Sequence, residues 1–287
     1  MGCPCEIRLA GSKDPTTEGE HCLGEIRRFE AKYSRYSEDS LVSEINRNAG
    51  LSPTPIDDET DSILDYADVC FQLSDGRFDI TSGVLRRLWQ PDMSALPAPD
   101  DIAEVTRLIG WQKVRRKPGE ILLPEAGMQI DLGGVVKEYV ADAVVQLALK
   151  LGVTSGIVNL GGDIAVIGPQ PSGEAWDVGV ADPDDSTRAI ATIKMKQGAI
   201  TTSGGYERFI EIGDRKYSHL LDPTTGWPAD NLLGVSVIAD QAVVAGSLST
   251  IALLMPEDEA LSFLADSGAP YLAIDTAHHI YRSEVTL

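Results

Sequence analysis

The chain has 287 residues, enough for one large domain or two modest ones with a real core. Its 44 acidic against 24 basic side chains give a formal net charge of −20, which argues against a nucleic-acid binder, since phosphate backbones need a basic stripe. No apolar run reaches the roughly 18 residues of a transmembrane helix, so no transmembrane segment and no nucleic-acid partner are expected.

Residues 5 to 9 alternate and predict a short strand, and Glu18 to Tyr33 carries Leu23, Ile26, Phe29 and Tyr33 at helical spacing. Asp39-Ser40 can cap a second short helix through Ile45, and Asp57 to Leu73 repeats the helical pattern. Pro91 to Pro99 reads as a loop, Asp100 to Ile109 as a helix, and the basic run Arg115-Arg116-Lys117 before Pro118-Gly119 as a solvated turn. From Ile121 onward strands are predicted at 156–160, 164–167, 176–180, 189–195 and 235–239. Helices interrupt them over Val135 to Leu151 and from Ser247 to Met255, continuing after Pro256 to Ala265. Helices first and strands later predict an α+β protein, with N-terminal helices packed on a mainly antiparallel sheet. The expected organisation is one domain over 1–287, helix-rich over about 10–120 and strand-rich over about 121–287.

Of the four cysteines, Cys3 and Cys5 are too close for an ordinary disulfide, and no second CxxC completes a zinc site. With His21 and Cys22 they could form a fortuitous soft-metal site, but free thiols in a reducing compartment are the simpler reading. The first residues show no apolar leader and no small-residue cleavage site. A cytoplasmic protein is therefore expected, a mature periplasmic form being the alternative.

Four segments can carry chemistry. In Asp131-Leu132-Gly133-Gly134-Val135-Val136-Lys137-Glu138-Tyr139, residues 128 to 131 read as a strand end and a helix starts after the glycines. A helix start presents free N–H groups to a pyrophosphate, and Lys137 in the first turn can reach the same anion. A tight turn whose glycines only permit close packing fits the residues equally well. Asn159-Leu160-Gly161-Gly162-Asp163 reads first as a hairpin turn. Thr201-Thr202-Ser203-Gly204-Gly205 runs on toward a hairpin at Gly213-Asp214 that pairs Ile210 with Tyr217, Glu211 with Lys216 and Arg208 with His219. Most lone histidines are structural. His219, however, leaves a strand in a polar cluster before the turn at Asp222-Pro223-Thr224-Thr225-Gly226, and it is the candidate general base. In Ala245-Gly246-Ser247-Leu248-Ser249-Thr250 a strand and loop give way to a helix, so its hydroxyls read as caps or, less commonly, metal ligands.

Taken in order, these segments resemble the ApbE family of FAD:protein FMN transferases, together with Tyr33-Ser34-Arg35-Tyr36-Ser37-Glu38-Asp39-Ser40, Ile45-Asn46 and Gly76-Arg77-Phe78-Asp79-Ile80-Thr81. The resemblance implies a two-lobed fold with FAD in the cleft as substrate, and Mg²⁺-dependent transfer of FMN to a Ser or Thr of an acceptor flavoprotein, with release of AMP. It implies that Met1, Tyr36, Arg77, Phe78, Asp79, Asp131 and Lys137 bind FAD, that Gly134 (through its carbonyl) and Thr250 hold Mg²⁺, and that His219 acts near the phosphorus or the acceptor hydroxyl. The chain departs from the family pattern at Gly246, where an Asp ligand is usual four residues before the Thr, and at Cys3, Ile80 and Gly205. Asp163 or Asp131 could stand in for the missing carboxylate. Two other readings share the FAD site: a pyrophosphatase that hydrolyses FAD, and an FAD carrier or regulator whose metal site has decayed.

Overall fold

A computed structural model describes residues 2–11, 13–185, 187–205 and 209–283. Its main sheet has seven strands: β1 (Cys5–Ala10), β2 (Ser155–Leu160), β3 (Asp163–Gly168), β4 (Gly198–Gly204), β5 (Leu232–Ala239), β6 (Tyr271–Asp275) and β7 (Ile280–Arg282). They lie side by side in chain order, each antiparallel to its neighbours. The two-residue side-chain period then sorts the sheet into two apolar faces. Ile157, Val166 and Ile200 meet Val178, Val180, Ile193 and Met195 of a separate hairpin, Trp176–Ala181 with Ala189–Met195. Val158, Ala165, Ile167, Ala199 and Val235 face the other way and join the helices in the main core.

The helices are α1 (Pro15–Tyr33), α2 (Leu41–Arg47), α3 (Asp58–Leu73), α4 (Pro99–Thr106), α5 (Val136–Lys150), α6 (Ala242–Leu254) and α7 (Glu257–Asp266). Side-chain caps start the first three. Asp14 accepts from the Thr17 N–H, Ser40 from the Ser43 N–H and Asp57 from the Thr60 N–H, at 3.2, 3.1 and 3.0 Å. α5 and α6 pack on the sheet and on each other, and α1 packs on α5. The α+β architecture and the antiparallel sheet are as the sequence predicts.

Several local expectations need correction. Residues 128 to 131 are not a strand end. They form an extended segment held by a side chain: Asn46 Oδ1 accepts the Ile130 N–H at 2.7 Å and Asn46 Nδ2 donates to the Ile130 carbonyl at 3.1 Å. The basic run is a strand, Arg115–Lys117, paired with Glu120–Leu122, and Arg116 binds Asp61 and Asp65 at 3.2 and 2.7 Å. α6 begins at Ala242, so Gly246 to Thr250 lie inside a helix and cap nothing. Ser247 and Ser249 donate back to the carbonyls of Val243 and Gly246, and Asp142 of α5 takes over the capping by accepting the N–H groups of Ala242 and Val243.

A small satellite core sits apart. Leu85 and Trp89 pack with Ile210 and Leu221, joining the 3₁₀ helix Ile80–Arg87 to the hairpin Phe209–Ile212 with Arg215–Ser218. The Trp89 ring lies 5.8 Å from Tyr217 and 5.3 Å from Trp227, and its Nε1 donates to the Gly226 carbonyl at 2.8 Å. The hairpin register pairs Ile210 with Tyr217 and Glu211 with Lys216, as expected, while Arg208 lies outside the described residues.

Candidate functional site

A cavity of about 510 Å³ opens where the N-terminus of α5, the end of β4, the interior of α6 and the segment after the Phe209–Ser218 hairpin converge. That volume is in the range of small-molecule sites. Tyr36, Asp131, Gly133, Gly134, Lys137, Glu138, Ser203, His219 and Thr250 all line it. Six of the residues singled out in the sequence are thus gathered in one place: Tyr36, Asp131, Gly134, Lys137, His219 and Thr250.

The α5 end is built by the Gly-Gly turn. Gly133 donates its N–H to Asp131 Oδ1 at 2.9 Å, and no side chain caps the helix start at Val135. Gly134 also serves packing, since a Cβ there would stand 3.2 Å from the Phe78 ring. Both readings of this turn therefore have a physical basis: an uncapped helix end toward the cavity and a close approach behind it. At the rim, Arg35 reaches Asp131 Oδ2 at 3.3 Å and donates to the Tyr36 hydroxyl at 2.6 Å, leaving Tyr36 80% exposed.

Lys137 points to the floor. It donates to Asp163 Oδ2, and Glu138 Oε1 lies 3.3 Å from its Nζ. Asp163, 1% exposed at the start of β3, also accepts the Thr202 N–H through Oδ1 at 3.1 Å. Burial works against the Lys137 charge, but Glu138 and Asp163 outweigh it and raise its pKa above the ordinary lysine value. Burial pushes the Asp163 carboxyl up; Lys137 pulls it back and Glu138 adds to the push. Glu138 is 6% exposed, and its Oε2 is buried with no hydrogen-bond partner among the described residues.

The α6 side supplies hydroxyls. Ser203 Oγ lies 2.8 Å from Ser249 Oγ and 3.1 Å from Thr250 Oγ1, bridging β4 to α6. His219 follows the hairpin strand Arg215–Ser218 and is half-buried against the cavity. Its loop is held by the Asp222 turn, where Asp222 Oδ1 accepts the Thr224 N–H and the Gly226 N–H donates to the Asp222 carbonyl, both at 2.8 Å.

The ApbE family's sequence model matches residues 1–273. The chain belongs to the ApbE family. Relatives bearing the name FAD:protein FMN transferase include one from Treponema pallidum (strain Nichols), 30% identical with 93% of this chain and 80% of the relative covered. Another, from Salmonella typhimurium, is 31% identical with 82% and 70% covered. Among solved structures, the ApbE protein of Thermotoga maritima superposes with a TM-score of 0.90 at 32% identity, covering 97% of this chain and 93% of that one. The flavin transferase ApbE of Vibrio cholerae gives 0.87 at 25% identity, covering 99% and 94%.

Within this ApbE-family fold Arg77, Phe78 and Asp79 stand outside the cavity. Met1 lies outside the described residues. Arg77 pairs with Glu259 at 3.0 Å, Phe78 is buried behind Gly134, and none of Arg77, Phe78 and Asp79 lines the cavity. Asp79 is committed to structure: it accepts from the Thr81 N–H and hydroxyl at 2.7 and 2.6 Å and from the Trp111 N–H at 2.9 Å. Among the described residues no cluster of three His, Cys, Asp or Glu side chains is arranged as a metal site, so the Cys3, Cys5, His21 and Cys22 grouping is not one. Sequence reasoning passed over Glu138 and Ser203 as site residues, although both stand inside segments that it quoted.

Proposed function

We propose that this ApbE-family chain transfers FMN from FAD to a Ser or Thr of an acceptor flavoprotein, with a divalent cation such as Mg²⁺, and releases AMP. The observation that carries the reading is the convergence of the α5 start, Lys137, Thr250 and His219 on one cavity. The relatives' name adds the donor and the product.

The donor set suits a hard cation, which prefers oxygen ligands: the Thr250 hydroxyl faces the cavity, and Glu138 Oε2 is a buried carboxylate oxygen with no hydrogen-bond partner among the described residues. The Thr250 hydroxyl and the Gly134 carbonyl are the groups that would hold it. When bound, the cation screens the pyrophosphate and stabilises charge on the leaving phosphate. The chain's own groups do the rest. The open end of α5 places positive potential where the pyrophosphate would lie, and the Lys137 ammonium offsets the Asp163 and Glu138 carboxylates beneath it. The acceptor oxygen forms a bond to the FMN-side phosphorus, the bond from that phosphorus to the bridging oxygen breaks, and AMP departs with the bridging oxygen. His219 takes the hydroxyl proton.

Incubation with FAD, Mg²⁺ and a candidate flavoprotein acceptor, read by intact mass, tests this. One FMN added to the acceptor is the expected result. Free FMN with an unmodified acceptor identifies a pyrophosphatase instead, and intact FAD throughout identifies a carrier.

A further inference from the structure

A cation held against a pyrophosphate normally relies on one or two carboxylates besides the phosphates and water. α6 offers the cavity the Thr250 hydroxyl but no carboxylate: Gly246, one turn before Thr250, has no side chain. The two carboxylates that the sequence offered as substitutes are engaged. Asp163 accepts from Lys137 and from the Thr202 N–H, while Asp131 accepts the Gly133 N–H and pairs with Arg35.

Glu138 is different on two independent counts. Among the described residues it is the only cavity-lining side chain with a buried oxygen lacking a hydrogen-bond partner. It also occupies the room left by Gly246: a Cβ added at 246 would stand 2.5 Å from Glu138 Cγ and 3.0 Å from its Cδ. A side chain at 246 and the present Glu138 position exclude each other in so tightly packed a place. Glu138 Oε1 rests near Lys137, which leaves Oε2 as the oxygen to be satisfied.

We infer that Glu138 is this chain's carboxylate ligand for the divalent cation, delivered from α5 through the space that Gly246 vacates on α6. The inference rests on the metal-dependent reading above. It makes the glycine at 246 a requirement of the site rather than a lesion, because a larger residue there displaces the ligand. On this reading Gly246→Asp alone does not tighten Mg²⁺ binding, because the new side chain meets Glu138.

The test uses full-length protein saturated with FAD, without acceptor, titrated with Mn²⁺ and followed by the EPR signal of the free ion. Glu138→Gln keeps the shape and should weaken Mn²⁺ binding at least about tenfold, while FAD affinity without metal and the melting temperature stay close to wild type. Gly246→Asp alone should bring no gain. The exchange Glu138→Ala/Gly246→Asp should bind Mn²⁺ more tightly than Glu138→Ala, since an Asp at 246 would face the same point as Thr250. Wild-type Mn²⁺ affinity in Glu138→Gln overturns the inference and leaves metal dependence standing. A wild-type protein that binds no Mn²⁺ in the presence of FAD overturns the metal-dependent reading itself, and the inference with it.

Discussion

On one side of the cavity α5 and α6 belong to the main core, with Val136, Val140, Val144, Ile251 and Ala252 buried between sheet and helices. On the other, His219 leaves a short hairpin seated on the satellite core around Trp89. The helical wall carries Lys137, 28% exposed, between the buried carboxylates of Glu138 and, from the adjoining β3, Asp163. The hairpin wall carries a half-buried imidazole on a loop held by the Asp222 turn, by the Ala229 N–H donating to the Leu220 carbonyl and by the Trp89 indole donating to the Gly226 carbonyl. A group that must fix a pyrophosphate gains from a rigid base, whereas a group that exchanges a proton with an incoming acceptor must stand where the acceptor can reach it. The division predicts that damage to the two walls will read out differently.

The largest effect is expected on the hairpin wall. His219→Ala should lower turnover by about 10²–10⁴-fold, the usual range for a lost proton acceptor. Its melting temperature and FAD affinity should stay near wild type, because the side chain is outside both the main and the satellite core. A rate within a few-fold of wild type, or an unfolded variant, would mean that the imidazole is structural and that the walls are not divided as described.

The helical wall should answer in stability and binding instead. Lys137→Met removes the cation that Asp163 and Glu138 share. Leaving one partner of a buried ion pair alone costs about 3–5 kcal/mol, readable as a lower denaturation midpoint. FAD should also bind more weakly in calorimetry, since without the ammonium the Asp163 and Glu138 carboxylates stand unscreened beneath the pyrophosphate. Unchanged FAD affinity in a folded Lys137→Met protein would place the pyrophosphate elsewhere.

How much of this was legible in the sequence follows the same division. The Gly133-Gly134 boundary and Lys137 announce themselves because the helical stripe of Val136, Val140 and Val144 begins directly after the glycine turn. The hairpin at Gly213-Asp214 is legible for a similar reason, its two-residue turn fixing the register that carries His219. α6 was hidden. Ala242–Leu254 is buried nearly all round, so no apolar stripe marks where it begins, and Ser247 was mistaken for its start. The extended segment before Asp131 misled for another reason: its apolar residues look like a strand, but their partner is the Asn46 amide rather than a neighbouring strand. Glu138 was missed because its role depends on α5 and α6 touching, which no spacing along the chain reveals.

The smallest expected effect concerns what backs the helical wall. Arg28 and Lys32 on α1 meet Glu59 and Asp57 at the start of α3: Arg28 to Glu59 at 2.7 Å, Lys32 to Asp57 at 2.5 Å and Lys32 to Glu59 at 2.8 Å. The Arg28 guanidinium is the main cause holding Glu59 down at about 2; burial opposes it and Lys32 helps. Burial pushes Asp57 up, but hydrogen bonds from Lys32 and Thr60 outweigh it and bring it to about 2. Both folded values lie below the unfolded carboxylate range near 4. The unfolded chain therefore takes up protons first as pH falls, so this stabilisation is present above about pH 5 and is lost on the way down to about 2. Each pair but Lys32–Glu59 has one well-hydrated member, Arg28 at 43% or Asp57 at 56% exposed, so screening limits the loss to about 1 kcal/mol or less per pair. Hydrogen exchange at pH 6 and pH 3 separates the walls. Amides of α1 and α3 should lose protection more than those of the Phe209–Ser218 hairpin, and Lys32→Met should shrink the difference. Equal loss in both regions would show that acid acts on the whole molecule and that this network does not tie α1 to α3.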